Sequence, residues 1–239
     1  MTSKILRRSF WMSSSNKKRN DLKTQAIVLH RTKYGETDRI LNLLTPEGRK
    51  SCVAKGVRRE KSKLAGGIEM FTVSEIVIHE SEKSDLGILT SAKMQKSYMG
   101  IISDLDRFEL GSKIIKLANK ISEGVDSPEL FLLVNQSFWA LDKSLNRDLV
   151  ESFFLLNLAR ISGEEINLHR DTSGEKLDPM TNYFWDGYEN ALKPDPSGNV
   201  SADHIKLMRL MLTSPLKTVS QVQNISRLLP EILHIAKSR

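Results

Sequence analysis

Three observations predict an α+β protein in which a small β-barrel precedes a bundle of helices. Short β-branched apolar runs separated by turn residues fill positions 24–92, apolar residues then recur at helical spacing from Leu105 onward, and positive charge gathers at the start of the chain. A length of 239 residues accommodates two compact cores. With 39% hydrophobic and 27% charged residues, the composition is that of a globular chain rather than a disordered one.

The strand signals come in order. Ala26-Ile27-Val28-Leu29 is an apolar run, followed by the polar turn Tyr34-Gly35-Glu36-Thr37-Asp38 and then Ile40-Leu41-Asn42-Leu43-Leu44. Pro46-Glu47-Gly48 forms the next turn, after which Ser51-Cys52-Val53-Ala54, residues 71–78 and residues 86–90 supply three more strands. Positions 71–74 alternate apolar and polar, the pattern of a sheet with one buried face, before Ile76-Val77-Ile78 turns apolar throughout. Five short strands in so few residues suit a closed barrel, because closure removes sheet edges that would pair with other chains.

Helical periodicity takes over after Ser103. Leu105, Phe108, Ser112, Ile115, Ala118 and Ile121 line one stripe, ended by Gly124. A second helix follows, with Ser127 as N-cap, Pro128 as first helical residue, and Phe131, Val134, Phe138 and Leu141 on its apolar face. Residues 148–161 form the third, through Val150, Phe153, Phe154, Asn157, Leu158 and Ile161. Three stripes need a common core, hence a bundle. Residues 163–200, rich in Pro and Gly, read as an irregular insertion, and further helices are expected at 202–212, at 219–228 and after Pro230. The expected division is a basic tail at 1–22, a barrel at 23–100 and a helical domain at 101–239.

Charge separates the two parts. Residues 1–70 hold 17 Lys or Arg against 6 Asp or Glu; the remainder of the chain's 36 and 29 leaves 19 against 23. A polyanion-binding module joined to a near-neutral one fits this polarity, as does a basic tail with ordinary solvated lysines. The tail carries Lys4, Arg7, Arg8, Lys17, Lys18 and Arg19 with a serine run, and either adds phosphate attraction or precedes an internal start at Met12.

Several classes are excluded. No apolar run reaches the roughly 18 to 20 residues of a spanning helix. The single cysteine, Cys52, permits no intramolecular disulfide or thiolate-rich zinc site, and within an apolar strand it reads as a buried, inert thiol. The sequons at Asn135 and Asn224 read as chance in a reducing cytosol. No phosphate-binding loop, dinucleotide fingerprint, nucleophile elbow or zincin motif occurs. His169-Arg170-Asp171 resembles a kinase catalytic loop, but Lys176 stands where asparagine is required. The five histidines show no ligand spacing. Trp139 is expected to pack into the bundle, and Trp185 to plug the insertion onto it.

The candidate site is a basic segment. Residues 54–67 contain Lys55, Arg58, Arg59, Lys61 and Lys63 with three glycines that allow close backbone approach, the chemistry of a phosphate-tracking loop; a solvated charge run is the alternative. Arg31, Lys33, Arg39 and Lys50, with the aromatic Tyr34, belong to the same strand-rich module. OB-fold barrels bind single strands through such combinations of cations and stacking aromatics.

Taken in order and spacing, Ala26-Ile27-Val28-Leu29, Tyr34 to Ile40, Leu44-Thr45-Pro46-Glu47-Gly48, Ala54-Lys55-Gly56-Val57-Arg58 and Ser62-Lys63-Leu64-Ala65-Gly66 resemble the N-terminal domain of RecO recombination mediators. The resemblance implies an N-terminal OB-fold β-barrel followed by a helical-bundle domain, and a DNA repair factor that is not an enzyme. It implies binding and annealing of single- and double-stranded DNA, cooperation with RecR to load RecA onto DNA coated by single-strand-binding protein, and docking of that protein's acidic C-terminal tail on the helices. Lys55, Arg58, Lys63 and Arg39 are carried over as phosphate contacts; Arg59 and Lys61 are added from charge alone. A bacterial cytoplasmic, nucleoid-associated protein without cofactors is expected. Many members carry a four-cysteine zinc site, whereas residues 163–200 contain no cysteine, so a zinc-free insertion is expected. An RNA-binding OB-fold protein is the alternative; an enzyme using Asp171, Asp178 or Asp186 lacks an evident base or nucleophile.

Overall fold

The computed structural model describes residues 21–81, 84–125 and 128–238. Strands β1 (Asp21–Tyr34), β2 (Asp38–Thr45), β3 (Gly48–Ala54), β4 (Thr72–Ser81) and β5 (Ser84–Ser97) close into a barrel in the order β1-β2-β3-β5-β4. All pairings are antiparallel except the β3–β5 contact that completes closure, giving an OB-type barrel. A 3-10 turn, Ala65–Ile68, separates β3 from β4. β1 begins earlier than expected. Asp21 and Leu22, assigned to the tail, pair with His79 and Ile78, and the Asp21 carboxylate meets His79 Nδ1 at 2.8 Å. The rest of the tail and the N-cap Ser127 lie outside the described residues.

The fully apolar run in β1 has a plain cause, because that strand is buried on both faces. Ala26 and Val28 join Leu41, Leu43, Cys52, Ala54, Ile76 and Ile78 inside the barrel. Ile27 and Leu29, with Leu44, Phe71 and Val73, point outward into the helical core. This corrects the one-sided reading of residues 71–74: all four are buried, since helices cover the outside of the barrel there. Further along β4 the alternation resumes, with Ile76 and Ile78 buried and Val77 half-buried. Phe71 adopts φ 57°, uncommon for a bulky residue, and is held by edge-on contacts with Phe108 and Phe138.

Helices α1 (Met99–Ile102), α2 (Leu105–Ile121), α3 (Pro128–Asp142), α4 (Arg147–Ile161), α5 (Ala202–Thr213), α6 (Leu216–Val219) and α7 (Leu229–Lys237) follow. The buried face of α2 is Leu110, Gly111, Ile114, Ile115 and Ala118. Leu105 and Phe108, assigned to the core stripe, are 72% and 43% exposed, because the face that α2 buries is centred on Leu110, Ile114 and Ala118 and turned away from them. On α3 and α4 the expected apolar faces are buried, apart from half-buried Ile161. Trp139 is half-buried against the core. The helix expected at 219–228 is instead the end of α6 and a short 3-10 turn at Ile225–Arg227, broken by Asn224 in the left-handed region at φ 59°. Among the described residues, no helix is long and apolar enough to cross a membrane.

Residues 163–200 are more ordered than an irregular insertion. Strands β6 (Tyr183–Asp186) and β7 (Ala191–Pro194) form a hairpin, and Ile166, Leu168, Tyr183, Leu192 and Val200 enter the core. Carboxylates close the turns around it: Asp171 accepts the amides of Ser173 and Glu175, and Asp195 accepts the Ser197 amide and hydroxyl. Trp185 lies against the core and donates from Nε1 to Ser238 Oγ at 2.7 Å, tying the hairpin to the end of α7.

Candidate nucleic-acid interface

The site is built from the β1–β2 hairpin and the loop that leaves β3. In the hairpin, Lys33 pairs with Arg39 and Tyr34 with Asp38 across the strands. Cross-strand partners share a face, so two cations stand side by side. The neighbouring strand places Arg39 opposite Ala54, immediately before Lys55. Tyr34, next along β1 and so on the opposite face from Lys33, is 54% exposed.

Hydrogen bonds lace the loop onto the hairpin. Asp38 Oδ1 accepts the Gly56 amide at 2.7 Å and the Thr37 hydroxyl at 2.9 Å. The Arg58 amide donates to the Thr37 carbonyl at 2.9 Å, and its guanidinium to the Glu36 carbonyl at 2.9 Å and the Gly35 carbonyl at 3.5 Å. Gly56 turns at φ 62°, a conformation glycine adopts without strain. The Gly56 amide and the Thr37 hydroxyl hold the Asp38 carboxyl below its ordinary range; slight burial opposes them, and the charges of Lys55 and Arg59 add to the lowering.

Lys33, Tyr34, Arg39, Lys55, Arg58 and Arg59 are thereby gathered at one end of the barrel. Among the described residues, Lys33, Arg39, Lys55 and Arg59 form no ion pair with an acidic side chain. Lys61 and Lys63 are exposed further along the same loop, before the 3-10 turn that packs Gly67 and Ile68 into the barrel end. Two other expected residues stand apart. Arg31 shares the face of Lys33 but pairs with Glu69 at 3.0 Å and donates to the Ile68 carbonyl. Lys50 lies five residues before Lys55, about 16 Å along the strand, and pairs with Glu80 at 2.8 Å. Asp38 and Gly56 were absent from the expected site residues; the signal for them was an acid set directly before Arg39 at the end of a turn.

Two grooves flank the helices. One of about 590 Å³ lies along the barrel–helix seam, lined by Arg31, Met94, Met99, Ile102, Phe71 and Phe108. The other, about 210 Å³, runs between α3, α4 and the end of α5, with Arg160 beside Leu132, Ile161 and Pro215. Among the described residues, no group of three or more His, Cys, Asp or Glu is arranged to hold a metal ion.

Comparison with known proteins decides the family. Residues 19–98 match the family described as Recombination protein O N terminal, and residues 102–235 match Recombination protein O C terminal. The chain belongs to the RecO family. Its similarity to DNA repair protein RecO of Dehalococcoides mccartyi strain 195 is 30% identity over 90% of this chain and 87% of that one. With the protein of the same description from Heliobacterium modesticaldum it is 34% over 70% and 60%, and with that from Roseiflexus sp. RS-1 it is 28% over 84% and 73%. The RecO match spans both the barrel that carries the cation cluster and the helices behind it, which makes the chain a DNA repair recombination protein with an OB-type barrel.

Proposed function

We propose that this RecO-family chain is a non-enzymatic recombination mediator that binds and anneals single-stranded DNA through the hairpin-loop end of its barrel. The observation that carries the reading is the gathering of Lys33, Arg39, Lys55 and Arg59 at one end of the barrel, with the exposed Tyr34 at the tip of the same hairpin. Cations outside close ion pairs attract phosphates and release counterions, while a tyrosine face stacks an unpaired base. Annealing then follows from lowered repulsion between two backbones. Lys61 and Lys63 extend the phosphate path, and double-stranded DNA uses the same surface.

The proposed partners are those of the family: RecR, the acidic tail of single-strand-binding protein, and RecA indirectly. Of the cations on the helices that could receive such a tail, Lys113 is paired with buried Glu151, and Arg209 is bonded to the Leu168 carbonyl. Arg160 stands in the α3–α4–α5 groove beside Leu132 and Ile161, offering a charge next to apolar surface. It supports that groove as the tail's seat, with the Glu129 carboxylate, now 2.9 Å from Arg160, giving way to the incoming one.

The deciding experiment is binding of labelled single-stranded DNA across a salt series, with single-stranded RNA as competitor. Tight binding that weakens steeply with salt, resists RNA and falls in a Lys33→Glu, Arg39→Glu, Lys55→Glu variant is the expected result. Preference for RNA would make the barrel an RNA-binding module instead. Unchanged binding in the variant would move the site elsewhere.

A further inference from the structure

We infer that Asp38 is a positioning residue for the DNA-contacting cations: its carboxylate latches the β3 loop to the β1–β2 hairpin and so sets where Lys55 and Arg59 stand. The inference rests on the DNA-binding reading and goes beyond it by giving an acid a positive role in binding a polyanion.

An acid among cations needs explanation, since by charge alone it repels phosphate and weakens the site. The close contacts of the Asp38 carboxylate are neutral donors, the Gly56 amide at 2.7 Å and the Thr37 hydroxyl at 2.9 Å, with the charges of Lys55 and Arg59 acting on it from further off. Hydrogen bonds from neutral donors to an ionised carboxylate are among the stronger ones in proteins. Gly56 begins the turn that carries the cations, because the Arg59 amide bonds back to the Gly56 carbonyl at 3.1 Å. Fastening Gly56 therefore fastens Lys55 before it and Arg59 after it.

The latch works in both directions. While Asp38 of the hairpin grips the loop, Arg58 of the loop grips the hairpin, through its amide on the Thr37 carbonyl and its guanidinium on the Glu36 and Gly35 carbonyls. Arg58 is thus a second positioning residue, its Nη1 bonded to two backbone carbonyls at the hairpin turn. Lysine at this position keeps the charge, but its stem is shorter and its ammonium more strongly hydrated, so it holds the same carbonyls less firmly.

The test turns on the sign of an effect. Asp38→Ala and Asp38→Asn both add one positive charge, so charge alone predicts that both tighten single-stranded DNA binding equally. The latch predicts a split: Asp38→Asn, whose amide oxygen still accepts from Gly56, binds at least as tightly as the parent, whereas Asp38→Ala binds about tenfold more weakly, as for loss of a hydrogen bond to a charged group. Arg58→Lys, with no change in charge, is expected to weaken binding in the same sense. Amide hydrogen exchange at Gly56 should quicken in Asp38→Ala in the absence of DNA, with the melting temperature checked to show that the fold persists. Tighter binding by Asp38→Ala, or unchanged Gly56 exchange, would overturn the latch. If the parent binds no DNA while Gly56 exchange still quickens, the latch stands and the DNA reading falls. If Asp38→Ala does not fold, Arg58→Lys carries the test, and undiminished binding by it sinks the proposal.

Discussion

Lys33 and Arg39 stand directly opposite each other across β1 and β2, two cations paired on one face of a hairpin. Like charges so placed destabilise a sheet locally, and each adds to a field that attracts phosphate. The expected consequence is that Lys33→Glu with Arg39→Glu strongly weakens single-stranded DNA binding. The salt dependence of log K should become shallower by about 1.4, at about 0.7 per lost phosphate contact on a single strand. Lys50→Glu, at the far end of β3 and already paired with Glu80, should change the slope far less. A fluorescence titration at three salt concentrations separates the two.

Buried Glu151 joins three helices, accepting Lys113 Nζ of α2 at 2.6 Å and lying 3.5 Å from Lys237 Nζ of α7. Burial pushes its carboxyl upward, but the hydrogen bond and charge of Lys113, aided by Lys237, outweigh it and leave the group below its ordinary value. A carboxyl lowered in the fold stabilises above the unfolded value near 4.5 and loses that contribution as pH falls through the folded one. Urea melts should therefore show stability falling below that range, and Glu151→Gln should flatten the dependence while costing about 1–3 kcal/mol at neutral pH. An unaltered acid limb in the variant would remove Glu151 from the account.

His204 in the first turn of α5 accepts the Ser201 amide on Nδ1 at 3.1 Å, which requires the neutral ring. Burial lowers its basicity, partly opposed by Glu231 and Asp203. Because the unfolded ring binds a proton more readily, stability is expected to decline as pH drops below 6.5. His204→Gln preserves an acceptor and should abolish that decline; thermal melts between pH 5 and 7.5 test it.

Gly198 packs so closely on Tyr183 that an added Cβ would sit 2.4 Å from the Tyr183 carbonyl. Gly198→Ala must push the β6–β7 hairpin off the core, at a cost of about 1–3 kcal/mol. A lowered melting temperature is the expected reading, whereas Gly124→Ala, with open space around it, should leave it nearly unchanged.

Cys52 lies wholly inside the barrel, and burial pushes its thiol up to about 12. A thiol reagent at pH 8 should modify it only in denaturant; fast labelling of the native protein would show that the barrel opens.

The sequence by itself determined the kinds of element and their order. Period-two and β-branched runs announced five strands, 3.6-residue spacing announced the helices of the bundle, and the surplus of lysine and arginine before Met70 marked the basic module. Local chemistry sufficed for these, because they depend on neighbours a few residues apart. What lies across from a face depends on closure of the chain, and only the tertiary structure decided it. The apolar run at β1 is double-sided because helices cover the barrel's outside, Leu105 and Phe108 are exposed because α2 buries a different face, and residues 163–200 fold into a hairpin seated on the core. The same holds at the interface. The sequence, through charge and the family resemblance, placed Arg31, Lys50 and Arg58 beside Lys33 and Arg39 as equals. Bonds to Glu69, to Glu80 and to the hairpin carbonyls, formed between residues about 20 to 40 apart in the chain, set the first three to structural work and leave Lys33 and Arg39 side by side without a close acid.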